Sequence, residues 1–499
     1  MGLRVAFLSA ECEPWAKTGG LADVVDALAR ALGHLPGDAI DGPVDVYLPR
    51  YRGVPEPADD AVIGETVLDV PDPRARTGSS AVTIVDVAAN RYRLRLIDHP
   101  PAFDREGFYG DAAGDYADNA WRFGLYCRAA LEAIRAEGRP VDVLHLHDWQ
   151  SGPAAVFRSL RYEADELVGS AAMVMTLHNL AYHGWAPNSA LPQLGLRAGD
   201  RAPGQNADGI DLIAAGIEAA EVVNTVSPGY AREALTPEFG MGLDGLLRSR
   251  GDRFMGILNG LDTTVWDPAT DADLAAPFGR GDLGGKARCR ADLLTRVGFA
   301  PDDDGPVVGM IGRLDPQKGF DLLAAATPDL LDRGARLVVQ GSGHPELADG
   351  FRGIAASSPG KVAFIERFDR AMARRIYAGA DFFAMPSRFE PCGQGQMIAL
   401  RYGTPPIVHR TGGLADTVID ETRQPGEGTG FVFEEATAAG LLGACEAAFA
   451  LRAAGGAAWD GLVDRGMAVD FDWVTGSAPK YVDAYRRAVA IRQADRATS

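Results

Sequence analysis

A carboxylate, Glu390, and two cations, Arg313 and Lys318, have the types and spacing to do chemistry at a charged leaving group. Glu390 lies in M-P-S-R-F-E-P-C-G-Q-G-Q, Met385 to Gln396, where an apolar strand is expected to end and a helix to begin. Pro391 suits the first turn of that helix, and Gly393 and Gly395 keep the backbone open. A helix N-terminus favours an ionised carboxylate. An ionised Glu390 suits hydrogen bonding to sugar hydroxyls or stabilising a positively charged sugar, and suits a general acid less. Taken alone it is also an ordinary first-turn acid. Arg313 and Lys318 lie in V-V-G-M-I-G-R-L-D-P-Q-K-G-F, across a strand-to-helix turn. Such a pair can grip two phosphates, or it can solvate a loop.

An eight-residue phrase occurs twice: T-G-G-L-A-D-V-V at Thr18 to Val25 and T-G-G-L-A-D-T-V at Thr411 to Val418. A cation, Lys17 or Arg410, precedes each copy. Twin glycines let backbone come close to a ligand, and a helix starting there points free N–H groups outward. Gly19, Gly20, Gly412 and Gly413 therefore predict two anion-binding loops, one per half of the chain. A turn that serves only the fold is the plainer alternative.

Other motifs are weaker. Gly341 and Gly343 follow a strand pattern, but Glu346 stands where a dinucleotide fingerprint needs glycine, so a nicotinamide dehydrogenase is a poor reading. His145 and His147, two apart on a strand, would share one face and could pair on a metal. Nothing in the sequence completes that site, so structure or sugar binding is the better reading. Asp148 and His178, followed by Asn179, fall at strand ends. Asp271-Ala272-Asp273 and Asp302-Asp303-Asp304 read as solvated loops.

Alternating apolar strands and helices must position these groups. Arg4 to Ser9, Val44 to Leu48, Tyr92 to Ile97, Val141 to Leu146 and Ala172 to Leu177 read as strands, with helices over Leu21 to Leu32 and Asn119 to Ala136. The pattern restarts at Val307 to Ile311, Arg336 to Gln340, Val362 to Ile365, Phe382 to Met385 and Pro406 to Val408, with helices from about Lys318, Arg370, Gly393 and Leu414. Near-continuous apolar strands between helices predict parallel sheets covered on both faces. The fold class is α/β: two facing, doubly wound, Rossmann-like domains with a deep cleft between them. Residues 1–262 form the first domain, 263–470 the second, and 471–499 a helical segment packing back on the first. Ala436 to Ala458 reads as a helix.

Composition narrows the partners. A chain of 499 residues needs more than one core. A formal charge of −19 opposes nucleic acid and anionic membrane surfaces and suits a neutral polymer. No apolar run approaches a membrane span, and the N-terminus lacks a secretory pattern. Five scattered cysteines without C-x-x-C predict a reduced, cytoplasmic protein with neither disulfides nor zinc. The oligomeric state is left open.

The phrases K-T-G-G-L-A-D-V-V, H-D-W, T-L-H-N, T-V-S-P-x-Y-A-R-E, T-P-E-F-G-x-G-L-D-G-L-L, L-N-G-L-D, R-L-x-x-Q-K-G, P-S-R-F-E-P-C-G and the closing D-F-D-W resemble bacterial glycogen synthase and plant starch synthase, in order and along the whole chain. The resemblance implies a two-domain (GT-B) retaining glycosyltransferase that moves glucose from ADP-glucose to the non-reducing end of an α-1,4-glucan. It implies Glu390 as the essential carboxylate, and Arg313 and Lys318 as the pair neutralising the leaving phosphates. It implies Lys17, Gly19, Gly20 and Asp23 in the donor loop, His178 (also a catalytic candidate) and Asp148 lining the glucosyl pocket, Asn259 at the cleft floor, and Asn179 as a further substrate contact. Gly341, Gly343, Phe368, Cys392, Gly393, Thr411, Gly412 and Gly413 would bind the nucleotide side. ADP-glucose would be a substrate, and neither cofactor nor metal is expected. The chain departs from the family at Phe368 and Ile398, each usually tyrosine, at Gly395 and His344, and at I-A-A-G, Ile213 to Gly216, which lacks a lysine. These departures leave room for another nucleotide sugar, a smaller acceptor or a weakly active binding protein.

Overall fold

The computed structural model describes residues 2–197 and 199–498. The chain divides into two compact units. Unit 1 comprises residues 1–226, 231–260 and 473–499, and unit 2 comprises 227–230 and 261–472. The segment Ser227–Tyr230 thus lies with the second unit, although sequence placed it inside the first domain. Among the described residues no single helix is long and apolar enough to cross a membrane.

The main sheet of unit 1 has nine strands among the described residues: β1 (Val5–Leu8), β2 (Val44–Pro49), β3 (Val62–Pro71), β4 (Ser79–Ala88), β5 (Tyr92–Asp98), β6 (Val143–His147), β7 (Ala172–Leu177), β8 (Val222–Thr225) and β9 (Phe254–Gly256). Their order across the sheet is β9-β8-β7-β6-β1-β2-β5-β4-β3. Pairing is parallel from β9 to β5 and antiparallel from β5 through β4 to β3. The parallel strands β1, β2, β6, β7 and β8 are buried throughout, which explains their continuous apolar runs. The sequence reading missed β8, β9 and the β3–β4 hairpin. β3 is an edge strand with mostly exposed side chains, so it carries no apolar run to recognise. The helix Ala478–Thr498 belongs to this unit. Tyr481 and Tyr485 are buried, and Arg492 bonds the Gly169 carbonyl and Glu163.

Unit 2 carries six strands, all parallel: β10 (Val307–Leu314), β11 (Arg336–Gly343), β12 (Val362–Ile365), β13 (Phe382–Met385), β14 (Pro406–His409) and β15 (Phe431–Phe433). Their order is β12-β11-β10-β13-β14-β15. The core joins Val308, Met310, Leu337, Val339, Phe382 and Ile407 to Phe320, Phe351 and Leu441 from the covering helices. The stretch expected as one helix over Ala436 to Ala458 is two, Ala438–Ala454 and Gly456–Ala468. The chain breaks at Gly455, whose φ of 61° with ψ of −157° only glycine adopts readily.

The strand orders say where each unit should bind. In open parallel sheets, ligands sit beyond the carboxyl ends of the two strands at which the winding direction reverses. That point lies between β1 and β6 in unit 1, and between β10 and β13 in unit 2.

Candidate active site

In unit 2 the reversal point brings Lys318 and Glu390 together across 72 positions of sequence. β10 runs out at Leu314 into a short 3-10 turn, Pro316–Lys318, started by Asp315, whose carboxylate accepts the Gln317 N–H. Gly319 then takes φ 72° and lies so close to the Pro386 carbonyl that a Cβ would stand 2.1 Å from it. This close approach of backbones locks the two strand ends against each other. The lock is completed by Arg388 N–H to the Gln317 carbonyl at 2.8 Å and by Arg388 to Asp321 at 2.6 and 2.9 Å. Lys318 Nζ then donates to both oxygens of buried Glu390, at 2.6 and 2.9 Å. Ser387 Oγ donates to the same carboxylate at 3.0 Å, and His409 Nδ1 lies 2.8 Å from the Ser387 carbonyl.

Glu390 owes its setting to these partners. The following helix, Gly395–Arg401, starts later than the sequence suggested, so Pro391 is outside its first turn and Glu390 is not a first-turn acid. Gly393 has φ 73°, and a Cβ there would crowd Gln396 and Glu390. The second phrase lies beside it. Gly413 donates its N–H to the Glu390 carbonyl, and a Cβ on Gly413 would strike the backbone of Cys392 at 2.2 Å. Thr411, Gly412 and Gly413 are buried, and the helix they open, Gly412–Thr417, is short. Ser227 Oγ donates to the Pro391 carbonyl at 2.6 Å, and the Gly229 N–H to Asp416 at 2.5 Å.

Arg313 is exposed near the end of β10 and forms no ion pair among the described residues. Gly341 and Gly343 are the closing residues of β11, where Cβ atoms would strike the carbonyls of Gly312 and Leu314 at 2.3 and 2.5 Å. They are strand residues at a close backbone approach, not a turn. Phe368 is 78% exposed just before Asp369, which caps the next helix.

Unit 1 assembles a different set at its own reversal point. β6 ends at His147, and Asp148 opens the helix Asp148–Arg161 with φ 54°, a strained value for a non-glycine residue. Asp148 Oδ1 accepts the His178 N–H at 2.7 Å. Burial pushes the Asp148 carboxyl up to about 7, against backbone hydrogen bonds from His178 and Asn179 that pull it down. Burial pulls His178 down to about 3, so its ring is neutral. His147 Nδ1 and His178 Nε2 lie 3.0 Å apart, one donating and one accepting. His145 contacts Tyr485 Oη at 2.9 Å and Thr176 Oγ1 at 2.6 Å. The histidine pair therefore supports the sheet and ring packing; among the described residues no three metal-binding side chains come together. Asn259 is buried with its Oδ1 unpartnered.

The first phrase departs from its expected form. β1 ends at Leu8, well before the glycines, and the intervening loop returns through Glu11. Glu11 Oε2 accepts the N–H groups of Thr18 and Gly19 at 2.7 and 3.1 Å, while Oε1 accepts Thr18 Oγ1 at 2.5 Å and Tyr109 Oη at 2.7 Å. An internal carboxylate thus occupies amides that the sequence reading left free for a ligand. Lys17 pairs with Asp23 at 2.6 Å and Glu13 at 3.4 Å. Burial lowers its pKa, but these acids more than offset that and hold it raised.

Two matches with known families coincide with the two halves. Residues 4–249 match the starch synthase catalytic domain, and residues 305–450 match the glycosyl transferases group 1. The glycogen synthase of Anaeromyxobacter dehalogenans (strain 2CP-C) is 43% identical over 97% of this chain and 99% of its own. That of Syntrophotalea carbinolica is 39% identical over 99% and 100%. The chain belongs to the glycogen and starch synthase family. This synthase is a glycosyltransferase of the GT-B class. It superposes on the catalytic domain of Arabidopsis thaliana starch synthase IV, solved with ADP and acarbose, with a TM-score of 0.85 and 36% identity over 98% of this chain and 100% of that one. The sucrose-phosphate synthase of Thermosynechococcus elongatus shares the fold at a TM-score of 0.60 and 19% identity, covering 98% and 99%.

Three residues that bond these candidate groups escaped the sequence reading: Glu11, Tyr109 and Ser387. Ser387 had a signal, a hydroxyl three residues before Glu390. Glu11 and Tyr109 had none, because they meet only through the fold. The reading of Asp271 as solvated is corrected. Its side chain is buried, bonded to Tyr402 Oη at 2.6 Å and Arg374 at 2.7 Å. Asp303 likewise pairs with Arg336 at 2.7 Å.

Proposed function

We propose that this synthase transfers glucose from ADP-glucose to the non-reducing end of an α-1,4-glucan, with retention at the anomeric carbon. The observation that carries the assignment is the pair of half-buried Lys318 and buried Glu390 at the reversal point of unit 2, on a chain of this family. Breaking a sugar–diphosphate bond leaves negative charge on the departing phosphate and positive character on the sugar. Lys318 and the unpaired Arg313 would meet the former, and Glu390, oriented by hydrogen bonds from Lys318 and Ser387, the latter. Preset charges of this kind are the largest usual source of rate. Gly341, Gly343, Phe368, Cys392, Gly393 and the Thr411–Gly413 corner would hold the nucleotide. In unit 1, Asp148, His178, Asn179 and Asn259 would bind sugar hydroxyls. Lys17, with Gly19, Gly20 and Asp23, would add a cation to the diphosphate once it exchanges its present acids for the ligand. The cations do the work a metal would do, so no metal or cofactor is required. The partners are a nucleotide sugar and the glucan, without nucleic acid or membrane, in the cytoplasm.

The test is ADP release from ADP-glucose with glycogen as acceptor. Release well above that with UDP-glucose is expected; no release with either would overturn the assignment. The exposed Phe368 favours one second reading, a different base on the donor, because phenylalanine keeps a stacking face and loses the hydroxyl. Faster turnover with another nucleotide sugar would establish that reading.

A further inference from the structure

Tyr182 and Trp185 are left in solvent at 59% and 52% of full exposure, and Met241 at 37%. Large apolar groups gathered on a surface mark binding sites when the backbone beneath them is held. Here it is held at every step. Asn179 Oδ1 accepts the Ala181 N–H at 3.0 Å. His183 Nδ1 lies 2.6 Å from Asp211, and its side chain also bonds backbone at Leu180 and at Met241, which ties the Met241 loop to the turn. The His183 carbonyl accepts the Ile213 N–H at 3.0 Å. Gly184, at φ 64°, lies flat on Trp149; a Cβ would be 2.3 Å from that ring. Trp185 then starts a strand, Trp185–Pro187, paired with Gly209–Asp211. The ordering cost of the turn is met before a ligand arrives, and Tyr and Trp lose little further freedom on contact.

The position of the turn names the ligand. It departs from His178–Asn179 and rests on Trp149, the neighbour of Asp148, so it adjoins the groups assigned above to sugar binding. Exposed rings match the flat C–H faces of pyranose rings, which are neutral and unopposed by a charge of −19. Three side chains fall well short of the roughly 20–30 residues a side of a specific protein interface. We propose that Tyr182 and Trp185, with Met241 beside them, form an acceptor subsite that stacks on glucose units of the α-1,4-glucan beyond the reacting end. This rests on the glucan-extending activity proposed above.

The test uses the full-length enzyme with maltotriose and maltoheptaose as acceptors. The double substitution Tyr182→Ala, Trp185→Ala should raise KM for maltoheptaose about tenfold, equivalent to about 1.4 kcal/mol. It should raise KM for maltotriose less and leave KM for ADP-glucose unchanged, while Trp185→Phe retains most of the affinity. Quenching of tryptophan fluorescence by maltoheptaose, without donor, should be lost in Trp185→Phe. A folded double variant with an unchanged KM for maltoheptaose overturns the subsite. So does a concentration-dependent dimer that the double variant abolishes with KM unchanged, since the patch would then belong to a second copy. Absence of turnover by the wild type with any acceptor would instead remove the activity reading, and the fluorescence titration would still decide the subsite.

Discussion

The two copies of T-G-G-L-A-D share their residues and little of their physics. In unit 1, Thr18, Gly19 and Gly20 are exposed, a Cβ on either glycine would meet nothing within 4 Å, and the loop amides are held by the Glu11 carboxylate. In unit 2, Thr411 to Gly413 are buried, Gly412 has φ 40°, and Gly413 is wedged against Cys392 with its N–H on the Glu390 carbonyl. One phrase therefore builds an open loop tied by an internal anion in one unit, and a close-packed corner behind the carboxylate in the other. Glycine in the second copy is demanded by the fold. In the first copy the folded chain makes no such demand, which fits the approach to a ligand proposed above.

The largest expected effect follows from that contrast. Lys318→Ala removes the cation bonded to Glu390 and should cost roughly 10²–10³ in kcat. Lys17→Ala, on the exposed loop, should cost less in kcat and show more in KM for ADP-glucose. Steady-state kinetics on both variants check this, and equal losses in kcat would erase the proposed asymmetry. Second in size is stability. Gly413→Ala forces a side chain into backbone and should destabilise by about 1–3 kcal/mol. Gly20→Ala, at the start of the helix Gly20–Leu32, should leave stability unchanged or raise it by up to about 1 kcal/mol while activity falls. Denaturant unfolding separates the two; a matching loss for Gly20→Ala would mean that both copies are structural.

Legibility in the sequence follows the same line. Buried parallel strands announce themselves as apolar runs, so both doubly wound halves were readable, as were Glu390, Lys318 and Arg313 as candidates. Their pairing was not, because nothing local links positions 72 apart. The edge strand β3 carries no run, the break at Gly455 is a single residue inside a helical pattern, and Asp271 looks solvated until Arg374 and Tyr402 fold over it. Glu11 is the sharpest miss. A phrase rich in free N–H groups predicts a ligand anion, and the chain supplies its own.

That substitution of an internal for an external anion is the third test. Glu11→Gln replaces one accepting oxygen with a donor and drops the charge that holds Thr18 and Gly19. Amide exchange at those two positions should quicken several-fold, by about 5- to 30-fold for a loss of roughly 1–2 kcal/mol, with no change at Gly413. Unaltered protection would show that the loop is held by its neighbours and that Glu11 is incidental.

The smallest effect is a pH limb that belongs to unit 1. His178, at about 3, stays neutral from pH 6 to 8 and contributes no limb there. Asp148, raised to about 7 by burial, does titrate there. If its carboxylate accepts sugar hydroxyls, kcat/KM should rise less than about tenfold between pH 6 and 8, as one group with that pKa ionises. Stability should move the other way. A carboxyl whose folded pKa lies above its unfolded one favours the folded state at low pH and loses that contribution as pH rises through about 7. The buried histidines slope oppositely: their depressed values give stability that is present above about 6.5 and lost as pH falls below it. Between pH 6.5 and 8 Asp148 and His183, whose pKa the Asp211 hydrogen bond raises, both slope down while the buried histidines slope up, so the share of Asp148 is read as the difference between the wild type and a variant without its carboxyl. Asp148→Asn should flatten the activity curve and remove the Asp148 share of the stability slope, lowering activity while sparing stability at pH 8. Persistence of the activity limb in that variant would move the titration to another group and take Asp148 out of the sugar-binding set.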